Sequence, residues 1–245
     1  PHMPPQRSVN PSAEAIAKWE EHGGSDIEAV LRSGAVAMLD SAWIVKLMES
    51  GGVLQRRQDL PPEAFITLDE LKAIGHVPAP ATGVWTASLP IIIISYPWLT
   101  PQHPDPHRAW LQLVGTALKS WTVSTAKTPP RYGIMWDFVS LHQHPVDGER
   151  PQCETLLFRD ALGSLGAFYA HRYSIVWRLT IFPKGYPGDA YQLPEDANVS
   201  EYMNRGWCFT ETSWASMSKS RDLSLDLGQY DMQDQPRFEI MRQCT

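Results

Sequence analysis

Cysteine is scarce in this chain, and so is any pattern among the few present. The three, Cys153, Cys208 and Cys244, are far apart and odd in number. That excludes a disulfide framework and a C-x-x-C metal knuckle, and it points to a reducing compartment. Long apolar runs are missing too. The strongest, Ile91 to Ile94 with its flanks, falls far short of the roughly 20 residues that span a bilayer. No signal peptide is visible, although Pro1-His2-Met3 has the form of a cloning remnant and leaves the native start open. Positive charge is in deficit: 21 Lys and Arg stand against 27 Asp and Glu, a net charge of -6. Without a basic stripe to neutralise phosphates, a nucleic-acid partner is disfavoured. No P-loop, G-x-G-x-x-G or H-E-x-x-H occurs. The expectation is a cytoplasmic protein with neither a membrane nor a nucleic acid as partner.

Tryptophan, by contrast, is abundant at ten residues, and 43% of the chain is hydrophobic. Trp suits cores and planar-ligand pockets alike, because it pairs a large apolar face with a single N–H donor. A length of 245 residues is enough to bury a real core in one domain with an extension, or in two small domains.

The chain divides into a loose end (1–9), a helical N-terminal lobe (10–80), an α/β domain (81–225) and a polar tail (226–245) that reads as partly disordered. In the lobe, Ile16 and Trp19, then Ile27, Val30 and Leu31, fall at helical spacing. Ser25 with Asp26 reads as a cap and Gly34 as a break. Ala35 to Glu49 reads as an apolar helix closed by Gly51-Gly52. Thr67 is a cap for a short helix through Ile74.

After Pro78-Ala79-Pro80 the pattern changes. Leu89 to Ser95, holding Ile91-Ile92-Ile93-Ile94, predicts a strand buried on both faces, as in a parallel sheet. Tyr132 to Phe138 and Tyr173 to Leu179 predict two more strands. Helices are predicted over His107 to Trp121, over Thr155 to His171 with Leu156, Leu157, Ala161, Leu165 and Phe168 inward, and over Met203 to Ser218. Alternating strands and helices imply βαβ units and a parallel sheet covered by helices.

Ligands of such sheets bind beyond the carboxyl ends of the strands. Ser95-Tyr96-Pro97-Trp98, Asp137 to Gln143, and the segment leading to the last helix all fall there. On that helix Trp207, Glu211 and Trp214 share one face at i, i+4, i+7. Two readings of Glu211 stand side by side. One is a surface acid paired with Arg205 or Lys219. The other is a carboxylate at the lip of an aromatic pocket, perturbed by desolvation. Asp137 serves either as a ligand-orienting acid or as a strand-end turn residue. Ser95 bonds either phosphate or backbone, and Arg205 either phosphate or a neighbouring acid. Cys208 is a nucleophile or a small core residue. His103, His107, His142 and His144 are metal ligands near one rim or members of solvated loops.

Four blocks carry a family resemblance. Ile94-Ser95-Tyr96-Pro97-Trp98 resembles the "LSYxWG" of fungal heterokaryon-incompatibility (HET) domains. The stretch from Met135 to Gln143 resembles their "WIDALCINQ", and Leu165 to Ala170 followed by a strand resembles "M-x-x-IY-x-x-A". Arg205 to Glu211 resembles "RGWTFQE". The blocks occur in family order over residues 90 to 217. They depart from the family pattern at Pro97, Leu99, Ser140, His142 and Thr210. HET domains resemble TIR domains, and Trp207 to Glu211 is also similar to the plant TIR "WCLDE", in which the Glu is catalytic. The resemblance implies a flavodoxin-like (TIR-like) sheet with a helical N-terminal extension. It also implies an NAD-cleaving activity in immune, stress or self/non-self signalling, with self-association of the chain. NAD is then a substrate, and no separate cofactor is implied. Glu211 becomes the catalytic residue, with Ser95, Tyr96, Trp98, Asp137, Ser140, Trp177, Arg205, Trp207 and Cys208 as the substrate-binding set. Tyr96, Trp98 or Trp177 would stack on nicotinamide or adenine.

Overall fold

The computed structural model describes residues 9–79, 86–122, 131–145, 147–232 and 237–245. The expected loose end lies outside them except for Val9. The sheet is built on the isoleucine run. In β3 (Ile91–Ser95) all five residues are buried, and successive side chains enter opposite cores. Ile92 and Ile94 point to one core, Ile91 and Ile93 to the other. Such a run works only where both faces are covered. β4 (Gly133–Met135) and β5 (Ile175–Arg178) flank β3 in parallel, and β6 (Ser224–Asp226) extends β5 in parallel. These four strands lie across the sheet as second, first, third, fourth in chain order, which is compatible with a flavodoxin-like doubly wound fold.

The other two strands come from the N-terminal segment. β1 (Met38–Asp40) runs antiparallel to both β4 and β2 (Phe65–Ile66). The sheet is thus six-stranded and mixed, in the order β2-β1-β4-β3-β5-β6. This corrects the purely helical reading of 10–80 and the helix expected from Ala35. Asp40 accepts from the Ala42 N–H and so caps α3 (Ser41–Glu49), which leaves Met38 and Leu39 extended with one side chain on each face. Elsewhere in the segment, α1 (Ala13–Glu21) is capped by Ser12. α2 (Ser25–Ser33) begins at Ser25 with no side-chain cap and ends at Gly34, whose φ is 77°. Thr67 forms a capping box with Glu70 at the start of α4 (Leu68–Ile74).

The two faces are covered by different helices. α3, α5 (Ala109–Thr122) and α9 (Arg237–Cys244) pack over one, where Trp110, Leu118, Trp121 and Trp177 meet. α1, α2, α4, α7 (Gln152–Tyr169) and α8 (Gly206–Ser218) pack over the other. The polar tail is therefore corrected as well: Ile240, Met241 and Cys244 of α9 are buried in the core beside α5. Leu156, expected inward, is 53% exposed, whereas Ala161, Leu165 and Phe168 are inward. β4 stops at Met135 because Asp137–Ser140 turns into a short helix, α6. Among the described residues no helix is long and apolar enough to cross a membrane.

Candidate active site

A cavity of about 450 Å³ opens beyond the carboxyl ends of β3 and β4. That volume lies within the range of small-molecule sites. Tyr96 to Trp98 leave β3 along one wall, and Asp137, Leu141 and Gln143 follow β4. α7 presents Phe158, Leu162, Leu165 and Tyr169, a stripe at helical spacing. α8 presents Trp207, Cys208 and Glu211.

Glu211 sits against the end of β3 with only 9% of its surface exposed. Ser95, the last residue of β3, donates its hydroxyl to Glu211 Oε2 at 2.5 Å. The surface-acid reading is thereby overturned. Among the described residues Glu211 makes no ion pair. Lys219 is spent on the His171 carbonyl and on Ser174, and Arg205 on other carbonyls. Burial pushes the Glu211 carboxyl up to about 8; the Asp137 charge adds to this, and hydrogen bonding from Ser95 and Tyr169 opposes it. Trp207 is 59% exposed at the cavity mouth, and Trp214 packs inward on Tyr169 with ring centroids 6.3 Å apart. The acid thus lies between a mouth residue and a core residue.

Asp137 takes the strand-end turn role, bonding the residues around it. Its Oδ1 accepts from the Tyr96 hydroxyl (2.5 Å) and the Phe138 N–H (2.6 Å), and its Oδ2 from Trp98 Nε1 (3.1 Å). It therefore orients the two aromatic residues that follow β3, and it lines the cavity as well. Burial raises its pKa, against the pull of these three donors. Cys208 lines the cavity as a thiol, since burial and then the nearby Glu211 push it up to about 12. At that value thiolate, the nucleophilic form, is negligible near neutrality.

Arg205 is a latch. Its guanidinium donates to the carbonyls of Trp98 (2.6 Å), Asn198 (2.6 Å) and Ser200 (2.9 Å) and to the Tyr186 hydroxyl (3.4 Å), over the face of Phe182. These bonds clamp the connection between β5 and α8 onto the cavity wall, and among the described residues no acid pairs with Arg205. Ser140 is fully buried beneath the rim, where its hydroxyl accepts from the Trp136 N–H. Trp177 lies in the core on the opposite face of the sheet, edge-on to Trp121, and cannot stack on a ligand in this cavity. Both had been read from their place near a strand end, where the side chain's face decides and a motif does not. Of the histidines, His103 contacts the Leu54 carbonyl and accepts from the Asp105 N–H, and His107 contacts the Ala190 carbonyl. Among the described residues no cluster of three or more potential ligands could hold a metal.

Several site residues escaped the sequence reading. The Phe158, Leu162, Leu165, Tyr169 stripe was visible as helical spacing but indistinguishable from a core stripe. Gln143 donates both amide protons to the Asp137 and Leu141 carbonyls and so holds the loop after β4. Tyr202, in the turn before α8, bonds the Ser95 hydroxyl from behind, and nothing in its neighbourhood marks it. Comparison of the chain with protein-family models, with curated proteins and with solved structures finds no match.

Proposed function

We propose that the protein is an NAD-consuming hydrolase that cleaves the nicotinamide–ribose bond, with a TIR-like arrangement of the sheet and Glu211 as the catalytic residue. One observation carries the reading: a buried carboxyl, Glu211, bonded to the end of β3 at the floor of an aromatic-mouthed cavity beyond the carboxyl ends of parallel strands. The chemistry needs little else. The C–N electron pair leaves with nicotinamide, whose ring nitrogen becomes neutral, so no general acid is required. The anomeric carbon is left as a ribosyl cation. Ionised Glu211 stabilises that cation or traps it, and water then completes the product and releases a proton. The pyridinium charge of the substrate favours the ionised acid, so binding itself prepares the carboxylate. Trp207 and Trp98 offer stacking faces, and Asp137 keeps acceptor capacity for a ribose hydroxyl beyond its three donors.

The test is incubation of the pure full-length chain with NAD, with released nicotinamide followed by chromatography. Turnover that Glu211→Gln lowers by about a hundredfold to a thousandfold is expected, the scale of losing one preorganised electrostatic group. No turnover at high protein concentration, or full turnover by Glu211→Ala, would remove the reading. A second reading, a self-associating signalling module without chemistry, draws on the exposed Met203, Trp207, Phe209 and Met217 on and beside α8. Concentration-dependent oligomers without nicotinamide release would favour it. Cleavage of nucleosides in preference to NAD would instead indicate an N-glycosidase. We place the protein, in any of these roles, in cytoplasmic immune or stress signalling.

A further inference from the structure

Behind Glu211 runs a chain of hydroxyl groups that leads away from the cavity. Ser95 Oγ lies 2.5 Å from Glu211 Oε2 and 2.5 Å from the Tyr202 hydroxyl, and that hydroxyl lies 3.1 Å from Thr212 Oγ1. Ser95 and Tyr202 are buried, and Thr212 alone of the three is partly exposed. Glu211 and Thr212 are neighbours on α8, so their side chains diverge by about a hundred degrees around the helix. The chain therefore passes from the cavity side of α8 to its flank.

Each hydroxyl has one proton to give and can accept in return. When Glu211 is ionised, Ser95 donates to it, Tyr202 donates to Ser95 and Thr212 donates to Tyr202. When Glu211 is neutral, every bond can reverse: the acid donates to Ser95, Ser95 to Tyr202 and Tyr202 to Thr212. No buried oxygen or proton is orphaned in either state. A backbone N–H in place of Ser95 would satisfy only the ionised acid, and a carbonyl only the neutral one.

We infer that Tyr202 and Thr212 are positioning residues that act on Glu211 through Ser95, and that this reversible hydroxyl chain sets how readily the acid at the cavity floor ionises. The purpose of the arrangement rests on the reading of Glu211 as the reacting carboxylate, but the ionisation itself does not. The other groups that face Glu211 are Asp137 from α6, Tyr169 from α7 and Cys208 from α8, with Arg205 beyond Cys208. The single Tyr169 proton is shared between the Ile94 carbonyl, at 3.2 Å, and Glu211. None of these can take over the bond to Ser95.

The experiment is an equilibrium pH titration of the Glu211 carboxyl in the full chain without substrate. It is read by infrared difference spectroscopy against Glu211→Gln. The wild-type midpoint is expected near 8. Tyr202→Phe costs Ser95 a donor when it serves the carboxylate and an acceptor when it serves the neutral acid; the charge-assisted arrangement loses more, so the midpoint moves up by about one unit. Thr212→Val removes a more distant and more exposed donor and moves it up by about half a unit. A merely structural role for either residue would not move the midpoint. Titrations of both variants that superimpose on wild type would overturn the inference, and Thr212→Val alone decides if Tyr202→Phe does not fold. No NAD enters the measurement, so a protein inactive on NAD can still bear the inference out, and an active one can refute it.

Discussion

At the scale of single residues, Glu211 couples activity and stability in opposite directions. Its carboxyl titrates near 8 in the folded protein and near 4.5 in the unfolded chain. Across that window the folded state holds a proton that the unfolded state has released, so stability falls as pH rises from about 4.5 to about 8. Glu211→Gln keeps an acceptor for Ser95 and removes the ionisation. It is expected to melt higher than wild type, with a difference that is small near pH 5 and grows to several kcal/mol by pH 8, at about 1.4 kcal/mol per unit. Denaturant titrations at those two pH values measure it, and a constant difference would refute it. Activity should follow the ionised form. On NAD, kcat/KM should rise with pH through about 8, the value of the free protein. The midpoint of kcat should lie lower, because the bound cation favours the carboxylate. Coinciding midpoints would show that the substrate's charge is not felt at Glu211.

At the scale of elements, one guanidinium clamps the long connection between β5 and α8 at several points. Arg205 is buried, and its partners Trp98, Asn198 and Ser200 are backbone carbonyls that it gathers onto one guanidinium. Arg205→Lys replaces a fork by a point donor and leaves carbonyls unpaired. A loss of about 2–3 kcal/mol in urea unfolding is expected. Faster tryptic cutting after the exposed Lys184 should accompany it, and an unchanged cutting rate would rule out the latch. Legibility at this scale followed chemistry. The Ile91 to Ile94 run announced β3, and Thr67 announced α4, because both signals are local. β1 and β2 were hidden, since strands of three and two residues carry no alternation to read. α9 was hidden because Arg237, Glu239, Arg242 and Gln243 interrupt its few apolar residues and make the segment read as polar. In the site, Glu211, Trp98, Trp207 and Asp137 were legible from strand ends and helical spacing. Tyr202 was not, because only tertiary folding carries it 107 residues along the chain to Ser95.

At the scale of the whole molecule, the N-terminal segment is part of the sheet and cannot be a detachable regulator. β1 lies between β2 and β4, and Trp19, Ile27, Leu39, Ile44 and Leu54 are buried in the two cores. Deleting residues 9–78 strips β4 of a neighbour and opens both faces. The remaining chain should show no cooperative thermal transition by circular dichroism; a sharp melt from residues 79–245 would refute this. The placement of β1 has a temporal side as well. About 95 residues separate Leu39 from its partner Ile134. At a synthesis rate of roughly 5–20 residues per second, β1 waits about 5–20 s on the ribosome for β4 to be made. Throughout that interval the edge of β1 that will pair with β4 is bare, and during its last seconds so is the four-isoleucine strand. The newborn chain is most vulnerable to sticking just before the sheet can close, and a holding chaperone would matter most then.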